Sequence, residues 1–458
     1  MRPLIALLLL LVLPVAAHAA CTNPTAEAGS IVFSDAAKAM QYCNGTDWIN
    51  TGAVIHNAPQ TGCTGPTARA GAVFYNGTLG VVQFCNGSSW VDTACARDRK
   101  PNGPGCNGKP GGTLQYVGSP INELQFCDST NWIAMGYPCG PVIPLNVADV
   151  FSTDLYTGNG ATQTITNGID LAGNGGLVWS KSRANSYNHE LVDTLRGASR
   201  RVYSDMTSQE FGSADLTAFG SQGFTLGNVS GNINSSGASV SWTFRKAPKF
   251  FDVVTYAGNG VVGRQIAHNL GALPGMLIVK RTNANYGWVV QHRSISASNV
   301  LLLNATQAST NYPSGFNSTA FTSTNFTLGT AVDTNEAGGT YVAYLFAHDP
   351  SPDGVIQCGS YTGNGSGTGP VVTLGWQPQW LFVKRSDATE DWYIWDTARS
   401  TANPRILTLS PNRSWAETSN VAYSMNFNAT GFQPSIGHTA VNASGGTYIY
   451  CAIRAEGS

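Results

Sequence analysis

Charge is what this chain has least of. Of 458 residues, 25 are Lys or Arg and 26 are Asp or Glu, a formal net charge of −1. At 11% charged residues and near-neutral balance there is no basic patch for a phosphate backbone, which excludes nucleic acid as a partner class. Beyond the N-terminus no apolar run approaches the ~18–20 residues of a membrane span. Helical periodicity is missing as well. The seven histidines do not cluster, and no HExxH, GxSxG elbow or CxxC pair occurs, so neither a metal nor a cofactor is expected. What abounds is Gly, at 52 residues, with Asn, Ser and Thr around it. That composition points to many turns between short strands. Aromatic residues, at 10%, are enough to build cores, and a chain of this length is expected to form several domains.

Residues 1–20 have the layout of a secretory signal: Arg2, then the apolar Leu4–Leu13, then Ala17-His18-Ala19 as small residues for cleavage. Cleavage before Ala20 or Cys21 is expected, with a lipid-modified Cys21 as the alternative. The mature chain is then exported, without a transmembrane segment, and is secreted or displayed at the cell surface.

Residues 21–140 repeat with a short period. CTNPTAEAG at Cys21 returns as CTGPTARAG at Cys63, 42 residues on. QYCNGTDW, QFCNGSSW and QFCDSTNW, from Gln41, Gln83 and Gln125, keep the same period. Modules this small bury little surface and need staples. Eight of the ten cysteines lie here, which in an exported chain favours disulfides over zinc. The spacing suggests Cys21–Cys43, Cys63–Cys85 and Cys106–Cys127, leaving Cys95 to pair with Cys139. Trp48, Trp90 and Trp132 are read as the core plugs of their modules rather than as a sugar-stacking row. The pattern resembles short modules of bacterial secreted and phage-like proteins, a resemblance that carries no function with it.

A longer repeat organises the rest. YTGNG at Tyr156–Gly160 returns as YAGNG at Tyr256–Gly260 and as YTGNG at Tyr361–Gly365, each opening about one hundred residues. After each copy comes an apolar run ending in a basic residue: LVWSK to Lys181, LIVKR through Lys280, LFVKR through Lys384. Short apolar runs between turn residues read as buried strands. A second strand ends near Arg196, Arg293 and Arg399. GFTLG, NFTLG and GFQP follow, and a strand over Ala238–Phe244, Thr340–Phe346 or Thr447–Ile453 closes each copy. The expected fold is all-β: three tandem β-sandwich domains, jelly-roll or concanavalin-like, at 148–247, 251–348 and 354–456, behind a small disulfide-rich β array. Cys358 and Cys451 lie in the first and last strands of the third copy and are expected to form a disulfide.

YTGNG, VWSKSRANSYNHELVDTLRGA, AFGSQGFTLG and the closing VSW strand resemble an uncharacterised repeat domain of phage tail-fibre and virion structural proteins, which also occurs in bacterial secreted proteins. The likeness covers about two-thirds of the chain and is weakest in the second copy, where Gln291-His292 replaces Asp-Thr. It implies a structural or receptor-binding role, and it brings no catalytic residues.

The recurring Lys181, Lys280 and Lys384, with Arg196, Arg293 and Arg399, are read as strand-end charges paired with Asp193 and Asp396 rather than as an anion site. Asp193 with Asp396, or Glu390 with Asp391, are the candidates for paired carboxylates. The aromatics at loop ends, Tyr286, Trp288, Trp392 and Tyr393, are the better candidates for sugar contact. The expected function is a non-enzymatic surface-structural or adhesion protein whose sandwich loops touch a cell-surface glycan or another surface protein. Weak sites would gain from repetition, and a homo-oligomer, a trimer first, is the assembly to test. A lectin-like carbohydrate-binding protein is the alternative, and an extracellular glycoside hydrolase the third.

Overall fold

A computed structural model describes residues 145–228 and 232–458 in full and, before them, the backbone of short strands between Ala20 and Met135. The chain divides into two compact units, 1–143 and 144–458.

In the first unit the described strands form a two-stranded sheet, Ala20–Cys21 with Ala26–Glu27, and three three-stranded antiparallel sheets, Ile31–Ser34 with Ala39–Cys43 and Trp48–Asn50 being the first of the three. The same register recurs in each of the three: Cys43 lies opposite Trp48, Cys85 opposite Trp90 and Cys127 opposite Trp132. A 42-residue period therefore means one three-stranded sheet per module. The signal segment and the pairing of the eight cysteines lie outside the described residues.

The second unit is mostly β, its antiparallel sheets forming three sandwich-like repeats. In the first repeat the large sheet runs in the order Phe151–Gly158, Gly237–Arg245, Gly176–Ser182, Glu190–Asp193, Arg200–Tyr203, Phe211–Gly212. The strands Gln163–Thr166, Gly223–Leu226 and Leu216–Gly220 form a small sheet across from it. The second repeat has the same order from Phe251–Ala257 to Thr310–Asn311, with Arg264–Ala267 paired to Asn325–Leu328. The third repeat keeps four strands of the large sheet, Ile356–Thr362, Thr447–Arg454, Pro378–Arg385 and Trp392–Asp396.

Alternation along the central strands explains why they read as unbroken apolar runs. Trp380 and Phe382 enter one core and Leu381 and Val383 another, as do Trp392 and Ile394 against Tyr393 and Trp395. A strand places successive side chains on opposite faces, so both faces are covered. One face meets the repeat's own small sheet; the other meets the neighbouring repeats. Phe244, Phe346 and Trp380, one from each repeat, meet in that shared core, with ring centroids 5.4 Å apart for Phe244 and Phe346 and 5.6 Å for Phe244 and Trp380. Each such side chain contributes roughly 1.5–3 kcal/mol of apolar burial.

The repeats close into a ring. Glu210 N donates to Thr282 O at 2.8 Å, Ser309 N to Ser386 O at 2.8 Å, and Glu417 N to Arg183 O at 2.9 Å. These are the same backbone bond made from first repeat to second, second to third, and third back to first. Residues 144–458 thus share a core between the repeats, beside which the first and third repeats each keep a core of their own.

The first and last strands of the third repeat are neighbours, with Cys358 directly opposite Cys451. The expected disulfide between them is corrected, because both are free and buried thiols. Cys358 Sγ points to Ala347 O at 3.6 Å, and burial raises the Cys451 thiol well above its usual range.

Candidate functional site

Three of the four aromatics expected to contact sugar are interior. Trp288 is 0% exposed, Trp392 1% and Tyr393 3%. Trp288 Nε1 donates to Tyr203 O at 2.8 Å and to Met206 O at 3.1 Å, and Trp392 Nε1 to Leu302 O at 3.0 Å. Each indole thus ties its repeat to the preceding one at an equivalent carbonyl. Tyr393 packs on Tyr423 with centroids 4.6 Å apart, inside the third repeat's own core. The reading of these residues as a contact surface is corrected: they follow a turn, but their strand is covered on both faces. Tyr286 alone is partly exposed, with the Arg281 guanidinium 5.0 Å from its ring.

The recurring charges are interior too. Lys181, Lys280 and Lys384 are all 0% exposed. Lys280 Nζ donates to Thr207 O at 3.1 Å and Tyr286 O at 2.9 Å, and Lys384 Nζ donates to Thr306 O at 3.1 Å and to Arg385 O at 2.5 Å. Two lysines therefore cap a carbonyl of the preceding repeat. Lys181 Nζ donates to Ser182 O at 2.6 Å and Asn185 O at 3.0 Å. Burial, which disfavours the charged form, lowers Lys280 to about 7 and Lys181 and Lys384 to about 8.

Asp193 and Asp396 are fully buried, each bonded at 2.6 Å to the arginine three residues on, Arg196 or Arg399. Each also receives a proton donor from another repeat: Tyr344 OH to Asp193 Oδ2 at 2.9 Å, Trp242 Nε1 to Asp396 Oδ2 at 3.0 Å. The register places His292, not Gln291, opposite Met276 where Asp193 faces Leu177 and Asp396 faces Trp380. Three residues past His292 stands Ile295, so Arg293 is not the counterpart of Arg196 and Arg399. Arg293 Nη1 instead reaches Cys358 O at 3.3 Å, and His292 Nε2 lies 3.1 Å from Tyr450 O in the third repeat. Asp391, one of the weak carboxylate candidates, bonds Arg413 at 2.8 Å, and Glu390 accepts from Thr439 Oγ1 at 2.6 Å.

The Tyr-x-Gly-Asn-Gly stretch leaves the first strand of each repeat as a turn, and an Asn that sequence reasoning missed anchors it. Gly160, Gly260 and Gly365 adopt φ of 69°, 69° and 71°, the region that favours Gly. Each donates its N–H to the carbonyl of a buried Asn, at 2.7, 2.7 and 3.0 Å for Asn234, Asn335 and Asn442. The same three side chains accept the N–H of Asn159, Asn259 and Asn364. The earlier Gly of the motif is needed for space: a Cβ at Gly258 would stand 2.1 Å from Glu336 O. The signal was available, since Asn234, Asn335 and Asn442 each begin an Asn-x-x-Gly before the closing strand.

The second repeat departs most from its neighbours and carries two pockets. One, of about 200 Å³, opens beside Leu273, His292, Arg293, Ile295 and Phe321. The other, of about 230 Å³, is lined by Val300, Leu302, Gln307, Thr310, Tyr312 and Asp333. In the third repeat Trp415 is 53% exposed, with the Arg413 guanidinium 4.8 Å from its ring. Among the described residues no group of three or more His, Cys, Asp or Glu is placed to hold a metal, and no helix is long and apolar enough to cross a membrane.

No curated protein matches the chain. A family model described as a domain of unknown function, DUF7483, matches residues 146–457, a span that holds all three repeats and their shared core, and the chain belongs to that family.

Proposed function

We propose that this is an exported surface-structural or adhesion protein that works by non-catalytic contact. The observation that carries the reading is where the recurring polar chemistry sits. Buried Lys, Asp, Arg and Trp positions tie each repeat to its neighbour, so the three repeats present their loops from one stiff body. Preorganised loops bind without an ordering cost, and repetition adds avidity. The resemblance to tail-fibre modules points the same way, and the repeats are read as three β-sandwiches of jelly-roll or concanavalin-like type. Immunogold labelling of producing cells and of any released particles tests the proposal. Label on an external surface supports it, and label confined to the cell interior overturns it.

A lectin-like role is the second reading, and Trp415 favours it. Its large ring is half exposed and backed by Arg413, the arrangement on which a sugar face stacks. Glycan-array binding by the full chain that disappears in Trp415→Ala would select this reading, and an array without binding would remove it.

A further inference from the structure

The pocket at Val300 lies where the first repeat keeps an arginine of its own. On the strand pair of the first repeat Arg201 faces Phe211, and on the matching pair of the second Val300 faces Thr310. Two residues on from Arg201 and Val300, on the same face, stand Tyr203 and Leu302. The Arg201 guanidinium sits 4.7 Å from the Phe211 centroid and 5.2 Å from that of Tyr203. It is held by Asp215 and, at 3.2 Å, by Glu190. The second repeat has lost the arginine and both rings beneath it, and the cavity is what remains.

The loss is matched by a gain. Two residues before the buried Asn of each turn, the first repeat has Asn232, whose amide donates to Tyr203 OH at 2.6 Å. The second repeat has Asp333 there, opening on the cavity. Asp333 receives a bond from Tyr312 OH at 3.2 Å, and among the described residues no Lys, Arg or His forms an ion pair with it. A half-buried carboxylate without a counter-ion, over a floor of Val300 and Leu302 and beside a Tyr ring, is built for a flat cation with an aliphatic stem.

We infer that this pocket binds a guanidinium group supplied from outside the repeat, as an arginine side chain of a partner or an arginine-like small molecule. Asp333 accepts its N–H bonds, Tyr312 and Gln307 flank it, and Val300 and Leu302 take the methylenes behind it. Burial already raises the Asp333 carboxyl, and an incoming cation offsets that penalty. The inference stands apart from the surface-contact reading, since the pocket is defined whether or not the protein is displayed.

The test is calorimetric titration of the full chain with acetyl-agmatine, a guanidinium on a four-carbon stem, beside its uncharged urea isostere, N-(4-acetamidobutyl)urea. Acetyl-agmatine is expected to bind and the urea not to. Asp333→Asn is expected to weaken binding about tenfold or more, the size of a lost charge-assisted bond. Val300→Arg, which places the first repeat's own occupant in the pocket, is expected to abolish it. Failure of acetyl-agmatine to bind folded wild-type protein overturns the inference, as does equal binding of the urea. Binding indifferent to both substitutions, each shown folded by circular dichroism, overturns it too.

Discussion

Tyr344, in the closing strand of the second repeat, donates its phenolic hydrogen to Asp193 of the first repeat across 2.9 Å. Both side chains are essentially without solvent, and Arg196 completes the contact by donating to Asp193 at 2.6 Å and to Tyr344 at 3.1 Å. Burial drives the Tyr344 hydroxyl well above its usual range, so it stays a donor at any physiological pH. Asp193→Ala removes the shorter of the two carboxylate bonds to buried Arg196, leaving Glu210 at 3.0 Å, and is expected to cost about 3 kcal/mol, whereas Tyr344→Phe should cost about 1–2 kcal/mol. Urea unfolding of the two single variants and the double variant should show coupling; strict additivity would mean the contact does not join the repeats.

The turn that opens each repeat should be equally sensitive at a residue outside the motif. Asn335 holds Val261 O and Gly329 O through its amide, at 2.9 and 2.7 Å, while accepting from Asn259 N. Asn335→Ala strands these groups and is expected to destabilise by about 2–4 kcal/mol, more than Asn259→Ala at the exposed tip. Equal melting temperatures for the two variants would refute that ordering.

Removing an interior aromatic should look like a folding defect. Trp392→Ala opens a cavity in the shared core and is expected to cost about 3–5 kcal/mol, and Trp415→Ala, at the surface, less than about 1 kcal/mol. Thermal melts of both variants decide this, and an unchanged melt for Trp392→Ala would place its ring outside the core.

The pH dependence of stability has a defined sign on its acid side. Burial depresses His292 from 6.5 to about 3. Between those values the unfolded chain takes up a proton that the folded chain refuses, so the stabilisation is full above about pH 6.5 and is lost as pH falls toward 3. At about 1.4 kcal/mol per pKa unit the loss amounts to several kcal/mol. Lys280, depressed from 10.5 to about 7, acts in the same sense at higher pH: its contribution is full above about 10.5 and is lost by about 7. His292→Gln should flatten the acid limb and Lys280→Met the alkaline rise, read as the slope of unfolding free energy against pH. Unchanged slopes would count against both assignments.

Cys358 and Cys451, facing each other as buried thiols, should resist alkylation in the folded protein and both react after denaturation without a reductant. Peptide mapping separates them from the eight N-terminal cysteines. Recovery of a Cys358–Cys451 linked peptide would show instead that the pair is oxidised.

Much of the second unit is legible in the residues. The Leu177–Lys181, Leu277–Arg281 and Leu381–Arg385 runs, the closing strands and the Gly-Asn-Gly turns all fall where local pattern places them, because alternation and positive φ are properties of a few neighbouring residues. The first and last strands of the third repeat are neighbours, as the expected Cys358–Cys451 disulfide would require, although the two thiols are free. The equation of Arg293 with Arg196 and Arg399 failed for a local reason: the ladder that sets His292 opposite Met276 puts Ile295, two residues past Arg293, at their position.

By itself, then, the amino-acid order determined three β repeats, their strands and the turn that opens each one. Only the tertiary structure decided which way those strands face. Trp288, Trp392 and Lys280 look like loop-end chemistry along the chain, but the ring closure from Glu417 back to Arg183 covers the outer face of each large sheet with the next repeat. Burial by a neighbour a hundred residues away leaves no local mark, because a side chain suited to an interior and one suited to stacking on a ligand are the same large, flat, apolar ring.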